Sequence, residues 1–209
     1  MAVKRALTVQ NVLDKKYKLF DFEDEWYDAF SNPERSGVWF IWGNSGNGKT
    51  SFVLKLIKCL AKFDRIIFNS LEEGVTHTLQ KSFLDLGMRE VGGKLLVVQE
   101  NHEQLLERLR AKRSPGIVII DSFQYFGLSY KQYINFKEAI HGKLIVFISH
   151  AEGKLPASRA AQSVAYDATL KIWVEGYKAI SKGRYLGPTG EYIIWPERAA
   201  IYWGEKKKY

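Results

Sequence analysis

Residues 43–50 read Gly43-Asn44-Ser45-Gly46-Asn47-Gly48-Lys49-Thr50, which satisfies the pattern G-x-x-x-x-G-K-[ST] at every fixed position. The chemistry such a stretch can do is to wrap a chain of phosphates. A loop around an anion must turn its backbone N–H groups inward, and Gly43, Gly46 and Gly48 are expected to supply the conformational freedom for this. The Lys49 ammonium then reaches the β- and γ-phosphates, the Thr50 hydroxyl can ligate magnesium, and the helix entered through Ser51 directs its positive end at the anion. Residues 43–51 are therefore the candidate nucleotide-binding set.

Further positions carry chemistry of the same kind. Asp121 ends the apolar run Gly116-Ile117-Val118-Ile119-Ile120, where a carboxylate can hold magnesium through its water shell. Glu72 and Glu73 follow the second apolar run, Arg65–Ser70, and are expected beside the phosphate loop in the sheet. Either could polarise a water for attack on a γ-phosphate, and paired acids after a strand also commonly open a helix. His77, His102, His141 and His150 are scattered without cysteine partners, which argues against a structural zinc site. The single cysteine, Cys59, falls on the apolar side of the helix after the loop and reads as a core residue. With no disulfide available within the chain, a reducing cytoplasm is the expected compartment.

The elements that must position these groups follow from apolar periodicity. Gly37–Trp42 reads as a strand, and residues 51–61 as a helix with Val53, Leu56, Ile57 and Leu60 inward. Further apolar runs at 65–70, 94–98, 116–121 and 144–150 alternate with helical patterns at 74–88, 101–109 and 130–141. Asn101 with Gln104 resembles a capping box, and Gly87 suits a helix stop. Strands that are apolar without alternation point to a mostly parallel sheet covered on both faces. The pattern then changes: 168–174, 177–185, 191–195 and 199–203 read as strands joined by tight turns, so antiparallel hairpins should extend one edge. Residues 1–36 form an expected arm, in which Phe22, Trp26, Ala29 and Phe30 share one helical face that packs on the core. Residues 37–204 form the expected core and 205–209 a basic tail.

A chain of 209 residues with 46% hydrophobic content can bury a full core, and no run approaches the roughly 18 apolar residues needed to span a membrane. The formal charge of +8 and a pI near 9.4 favour an anionic macromolecular partner.

Together these stretches resemble the RecA-like P-loop ATPase core, in particular the branch with the RadA/KaiC-type proteins and the DnaB-type helicases, over roughly residues 36–203. The resemblance implies an α/β P-loop NTPase fold that uses ATP and magnesium and works as a homo-oligomer, ring or filament, on single-stranded DNA in recombination or replication. It also implies site residues. Ser70-Leu71-Glu72-Glu73 is similar to the segment in which the first glutamate is the catalytic base, favouring Glu72; His150 stands where a His or Gln senses the γ-phosphate. Ile180–Gly187 resembles a Lys-Asn-Arg-Phe-Gly hairpin whose lysine and arginine reach a neighbouring subunit's nucleotide, which points to Lys182 and Arg184. Here Gly183 replaces the Asn and Leu186 is interposed.

The polar run 152–159 occupies the place of a mobile second DNA-binding loop, offering Lys154 and Arg159 to phosphates. Phe126, Tyr130, Lys131 and Tyr133 offer further aromatic and basic contacts. The chain's compactness is similar to that of phage-encoded recombination ATPases. A regulatory or assembly ATPase that touches no nucleic acid, and a DnaB-like helicase motor, are the alternatives.

Overall fold

A computed structural model describes residues 5–183 and 190–204. Its sheet has the order β3-β2-β4-β5-β1-β7-β8-β9, with β6 attached to β5. The strands are β1 (Gly37–Gly43), β2 (Ile66–Ser70), β3 (Leu95–Val98), β4 (Ile117–Asp121), β5 (Leu144–Glu152), β6 (Leu155–Pro156), β7 (Leu170–Glu175), β8 (Lys178–Gly183) and β9 (Gly190–Ile193). From β3 to β7 every neighbouring pair is parallel, whereas β7-β8 and β8-β9 are antiparallel. The expected parallel sheet with a hairpin extension is what the chain forms.

Alternate residues of each apolar strand enter two separate cores. Trp39 and Ile41 of β1, Phe68 of β2, Ile119 of β4 and Val146 of β5 pack beneath α2 (Asp24–Phe30) and α3 (Lys49–Leu60). Val38, Phe40, Ile67, Val118 and Phe147 pack on the other face, against α5 (His102–Arg110), α6 (Phe123–Phe126), α7 (Tyr130–Ala139) and α8 (Arg159–Asp167). This double burial is why these strands carry no polar alternation. α1 (Val9–Leu13) buries no residue, while α4 (His77–Asp85) lies between β2 and β3 in the chain. Phe22, Ala29 and Phe30 are buried in the core beneath α3, with Trp26 partly buried against it, so this face of the aromatic segment packs on its own chain as expected; Phe20 is buried there as well. The Asn101–Gln104 capping box forms, and Gly87 takes a left-handed conformation just after α4 and its cap.

One expected element is overturned. Residues 199–203 are helical, belonging to α9 (Pro196–Trp203), not a strand. Their β-branched and aromatic composition reads as strand, but Pro196 at the helix start, Glu197 in the first turn and left-handed Gly204 at its end set a helix. The polar run 152–159 forms a tight β5-β6 turn followed by the start of α8, whose first turn Ser158 caps by accepting from the Ala161 N–H.

Candidate functional site

The phosphate loop leaves β1 at Gly43 and enters α3 at Lys49. Its glycines serve different ends. Gly46 and Gly48 adopt φ of +78° and +93°, which favours glycine, whereas Gly43 does not: a Cβ there would run into the Val174 carbonyl of β7. Gly43 is thus required for space and not, as its spacing implied, for backbone freedom. Among the described residues no side chain caps the first turn of α3, which leaves its N–H groups for an anion. Lys49 Nζ donates to the Asn44 carbonyl at 3.1 Å, and Asn47 Nδ2 donates to the Ser45 carbonyl at 3.2 Å.

β4 and β5 stand between β2 and the loop-bearing β1, so Glu72 and Glu73 are not next to the loop in the sheet as expected. They still line the same cleft, of about 540 Å³, as Ser45, Lys49, Thr50, Asp121 and His150. The reason is the parallel register, which levels the carboxyl ends of the strands: Ser70 opposite Asp121, Asp121 opposite Ile148, and Gly43 opposite His150. The Leu71 and Glu72 N–H groups donate to the Asp121 carbonyl, tying the segment after β2 to the end of β4. His150 Nε2 then lies 3.0 Å from Glu72 Oε2. Gln124 holds the end of β5, donating to Ser149 Oγ at 2.8 Å and the Ala157 carbonyl at 3.2 Å, and accepting from the His150 N–H at 3.3 Å.

Burial, followed by the Glu72 carboxylate, pushes the Asp121 carboxyl up to about 7, against the opposing pull of Lys49. Burial likewise holds the Lys49 ammonium below its ordinary range, with Glu72 and Asp121 opposing. No group of three or more His, Cys, Asp or Glu able to hold a metal occurs among the described residues. Magnesium on nucleotide phosphates needs only one or two protein oxygens, and the Thr50 hydroxyl with an Asp121 carboxyl oxygen, both lining the cleft, fits that requirement.

On the other side of the loop, the two-residue turn Gly176-Tyr177 between β7 and β8 is latched to Asn47. The Gly176 N–H donates to Asn47 Oδ1 at 2.8 Å and the Tyr177 N–H to the Asn47 carbonyl at 3.3 Å. Tyr177, Trp195 and Arg198 complete the cleft there. The reading of the sequence missed all three, because they lie far along the chain from the loop and no spacing connects them; the only signals were the Gly-Tyr turn and the Trp-Pro helix start.

The expected nucleic-acid contacts divide. Lys131 is exposed on α7, and Arg159 and Lys154 are exposed at the start of α8 and in the β5-β6 turn. The turn is joined to the loop: Asn44 Nδ2 donates to the Gly153 carbonyl at 3.2 Å and Trp42 Nε1 to the Lys154 carbonyl at 3.1 Å. Phe126 and Tyr133 are buried in the core, with the Tyr133 hydroxyl donating to Asp167, so they cannot offer faces to bases; only Tyr130 is exposed. Lys182 is exposed but does not line the cleft, since β8 starts beside the loop and runs away from it, leaving Lys182 level with Lys171 and Phe40. Arg184 lies outside the described residues.

This sheet order, with a phosphate loop between β1 and α3 and antiparallel strands appended at the β7 edge, is the RecA-like P-loop fold. The chain is similar in structure to the flagellar accessory protein FlaH from Methanocaldococcus jannaschii, with a TM-score of 0.62 at 16% identity over 83% of this chain and 93% of that one. It is also similar to the KaiC-like protein PH0186 from Pyrococcus horikoshii, with a TM-score of 0.58 at 18% identity over 83% of this chain and 90% of that one. No protein-family model matches the sequence, and no curated protein matches it either. Among the described residues no helix is long and apolar enough to cross a membrane.

Proposed function

We propose that the chain is a magnesium-dependent ATPase whose turnover is coupled to single-stranded DNA. The observation that carries the ATPase part is the convergence of Lys49, Thr50, Asp121, Glu72 and His150, from four different strand ends, on one cleft. Lys49 binds phosphate oxygens, and Thr50 and Asp121 hold magnesium, which when bound neutralises charge on the β- and γ-phosphates. Glu72 orients the attacking water and accepts its proton, while His150 fixes the Glu72 carboxylate from the 3.0 Å position. The test is ATP turnover by two variants. Lys49→Ala is expected to lose both ATP binding and hydrolysis, and Glu72→Gln to bind ATP while turnover falls at least about a hundredfold. Wild-type turnover in Glu72→Gln would move the base to Glu73 or elsewhere.

The DNA part rests on the +8 charge, on Lys154 in the β5-β6 turn that is hydrogen-bonded to Asn44 of the phosphate loop and to Trp42, and on Arg159 at the start of α8. Phosphate contacts make affinity fall steeply with salt, so binding to a single-stranded oligonucleotide with an ATP analogue and magnesium is expected to weaken strongly between low and physiological ionic strength. The second reading is a regulatory or assembly ATPase that touches no nucleic acid, favoured by the structural likeness to a flagellar accessory protein. Absence of oligonucleotide binding at low salt decides for it.

A further inference from the structure

The phosphate loop lies between two chemically different ends of one cleft. β5, β4 and β2, on one side of β1, deliver His150, Asp121, Glu72 and Glu73; β7, on the other, delivers the Gly176-Tyr177 turn. A nucleotide whose phosphates lie along residues 46–50 with the γ-phosphate toward the acids must therefore carry its base toward Tyr177, Trp195 and Arg198. This orientation rests on the nucleotide-binding reading above.

Those three side chains are assembled as flat faces. The Arg198 guanidinium lies over the Trp195 ring at 4.5 Å and over the Tyr177 ring at 5.4 Å, and the two rings meet edge-on at 6.1 Å and 75°. Arg198 Nη1 also donates to the Tyr177 hydroxyl at 2.9 Å, which fixes the guanidinium against the ring. Tyr177 also leans on the loop itself, since a Cβ on Gly48 would meet its Cδ1 at 3.2 Å. Half-exposed Trp195 heads α9, whose last turn is hooked to the hairpin turn by Trp203 Nε1 donating to the Gly176 carbonyl at 3.1 Å. Among the described residues, no carboxylate or carboxamide side chain lines this end of the cleft.

We propose that Tyr177, Trp195 and Arg198 form a base-stacking subsite that selects purine over pyrimidine nucleotides and does not distinguish adenine from guanine. Stacking strength grows with the area of the base, which separates a bicyclic purine from a monocyclic pyrimidine. Telling the two purines apart needs an acceptor for the adenine amino group or a donor set fixed on guanine O6; here no carboxylate or carboxamide side chain among the described residues lines this end, and Nη1 of Arg198 is held by the Tyr177 hydroxyl. The chain is on this account a purine-nucleotide enzyme, with ATP as one of two substrates.

Equilibrium binding of ATP, GTP, CTP, UTP and inorganic tripolyphosphate tests this, using wild type, Arg198→Leu, Arg198→Lys and Trp195→Leu. In wild type, ATP and GTP are expected within about threefold of each other and CTP and UTP about tenfold weaker. All three variants should weaken ATP and GTP by about tenfold and level the four nucleotides, with tripolyphosphate bound as in wild type. Unchanged tripolyphosphate binding shows that each variant is folded. Arg198→Lys separates the flat face from the charge, because it keeps only the charge. Pyrimidines binding as tightly as purines, GTP binding far more weakly than ATP, or variants with wild-type ATP affinity would overturn the stacking subsite while leaving the phosphate loop intact. Failure of wild type to bind any of the five probes would overturn the nucleotide reading and the subsite with it.

Discussion

Asp121 is the residue on which the free energy of the cleft turns. Its carboxyl is shifted from an ordinary 3.8 up to about 7, first by burial and then by Glu72. Folding therefore favours the protonated form. The stability this contributes is fully present below pH 4 and is lost as the pH rises through about 7, in protein free of nucleotide and magnesium. Thermal unfolding should show wild type and Asp121→Asn with similar midpoints near pH 4, and Asp121→Asn the more stable of the two at pH 8. A difference between them that does not change across that range would mean that the carboxyl titrates normally. Of the groups at this scale, Lys49, Thr50 and Asp121 were legible because each has a fixed place in a motif or at a strand end. The contact between His150 and Glu72 was not, because it joins strands separated in sequence by most of the core.

At the scale of elements, the loop depends on close approach between β1 and β7. Gly43 faces the Val174 carbonyl so closely that an added methyl must displace backbone, which no rotamer change can relieve. Gly43→Ala should cost about 2 kcal/mol of stability in chemical denaturation, with weaker nucleotide binding as the loop shifts. A stability loss within measurement error would show that β7 can move away at no cost. The helices and parallel strands were legible from apolar runs, caps and glycine stops. α9 was not, since Ile201, Tyr202 and Trp203 have strand-like composition, and the decision came from the Pro196 start and the hook of Trp203 onto Gly176. Phe126 and Tyr133 show the converse error: aromatic residues near a basic one resemble a nucleic-acid surface until the fold buries them.

For the whole molecule, the direction of β8 bears on completion of the cleft by a second copy. Lys182 is carried away from its own cleft by the direction of β8, so a role for it in catalysis requires another chain's nucleotide. If Lys182 and Arg184 act across an interface, mixing inactive Lys49→Ala and inactive Arg184→Ala subunits should restore part of the ATPase activity. Co-assembly without any rescue would count against a shared site. Among the described residues, nothing covers the exposed apolar side chains of Leu7, Val9, Val12 and Leu13 around α1.

From residue types and spacing alone came the phosphate loop, the carboxylate at the end of β4, the doubly covered parallel sheet and the antiparallel extension. These are local patterns, set by backbone conformation, helix caps and the period of apolar residues, so a linear sequence carries them in full. The tertiary structure decided what depends on register and sheet order: that β4 and β5 intervene between β2 and β1, yet their level carboxyl ends still bring Glu72 to Asp121 and His150. It also decided that Tyr177, Trp195 and Arg198 meet beside the loop. Such contacts arise where separate strands and a terminal helix end at one edge, and no periodicity along the chain records where another strand will end.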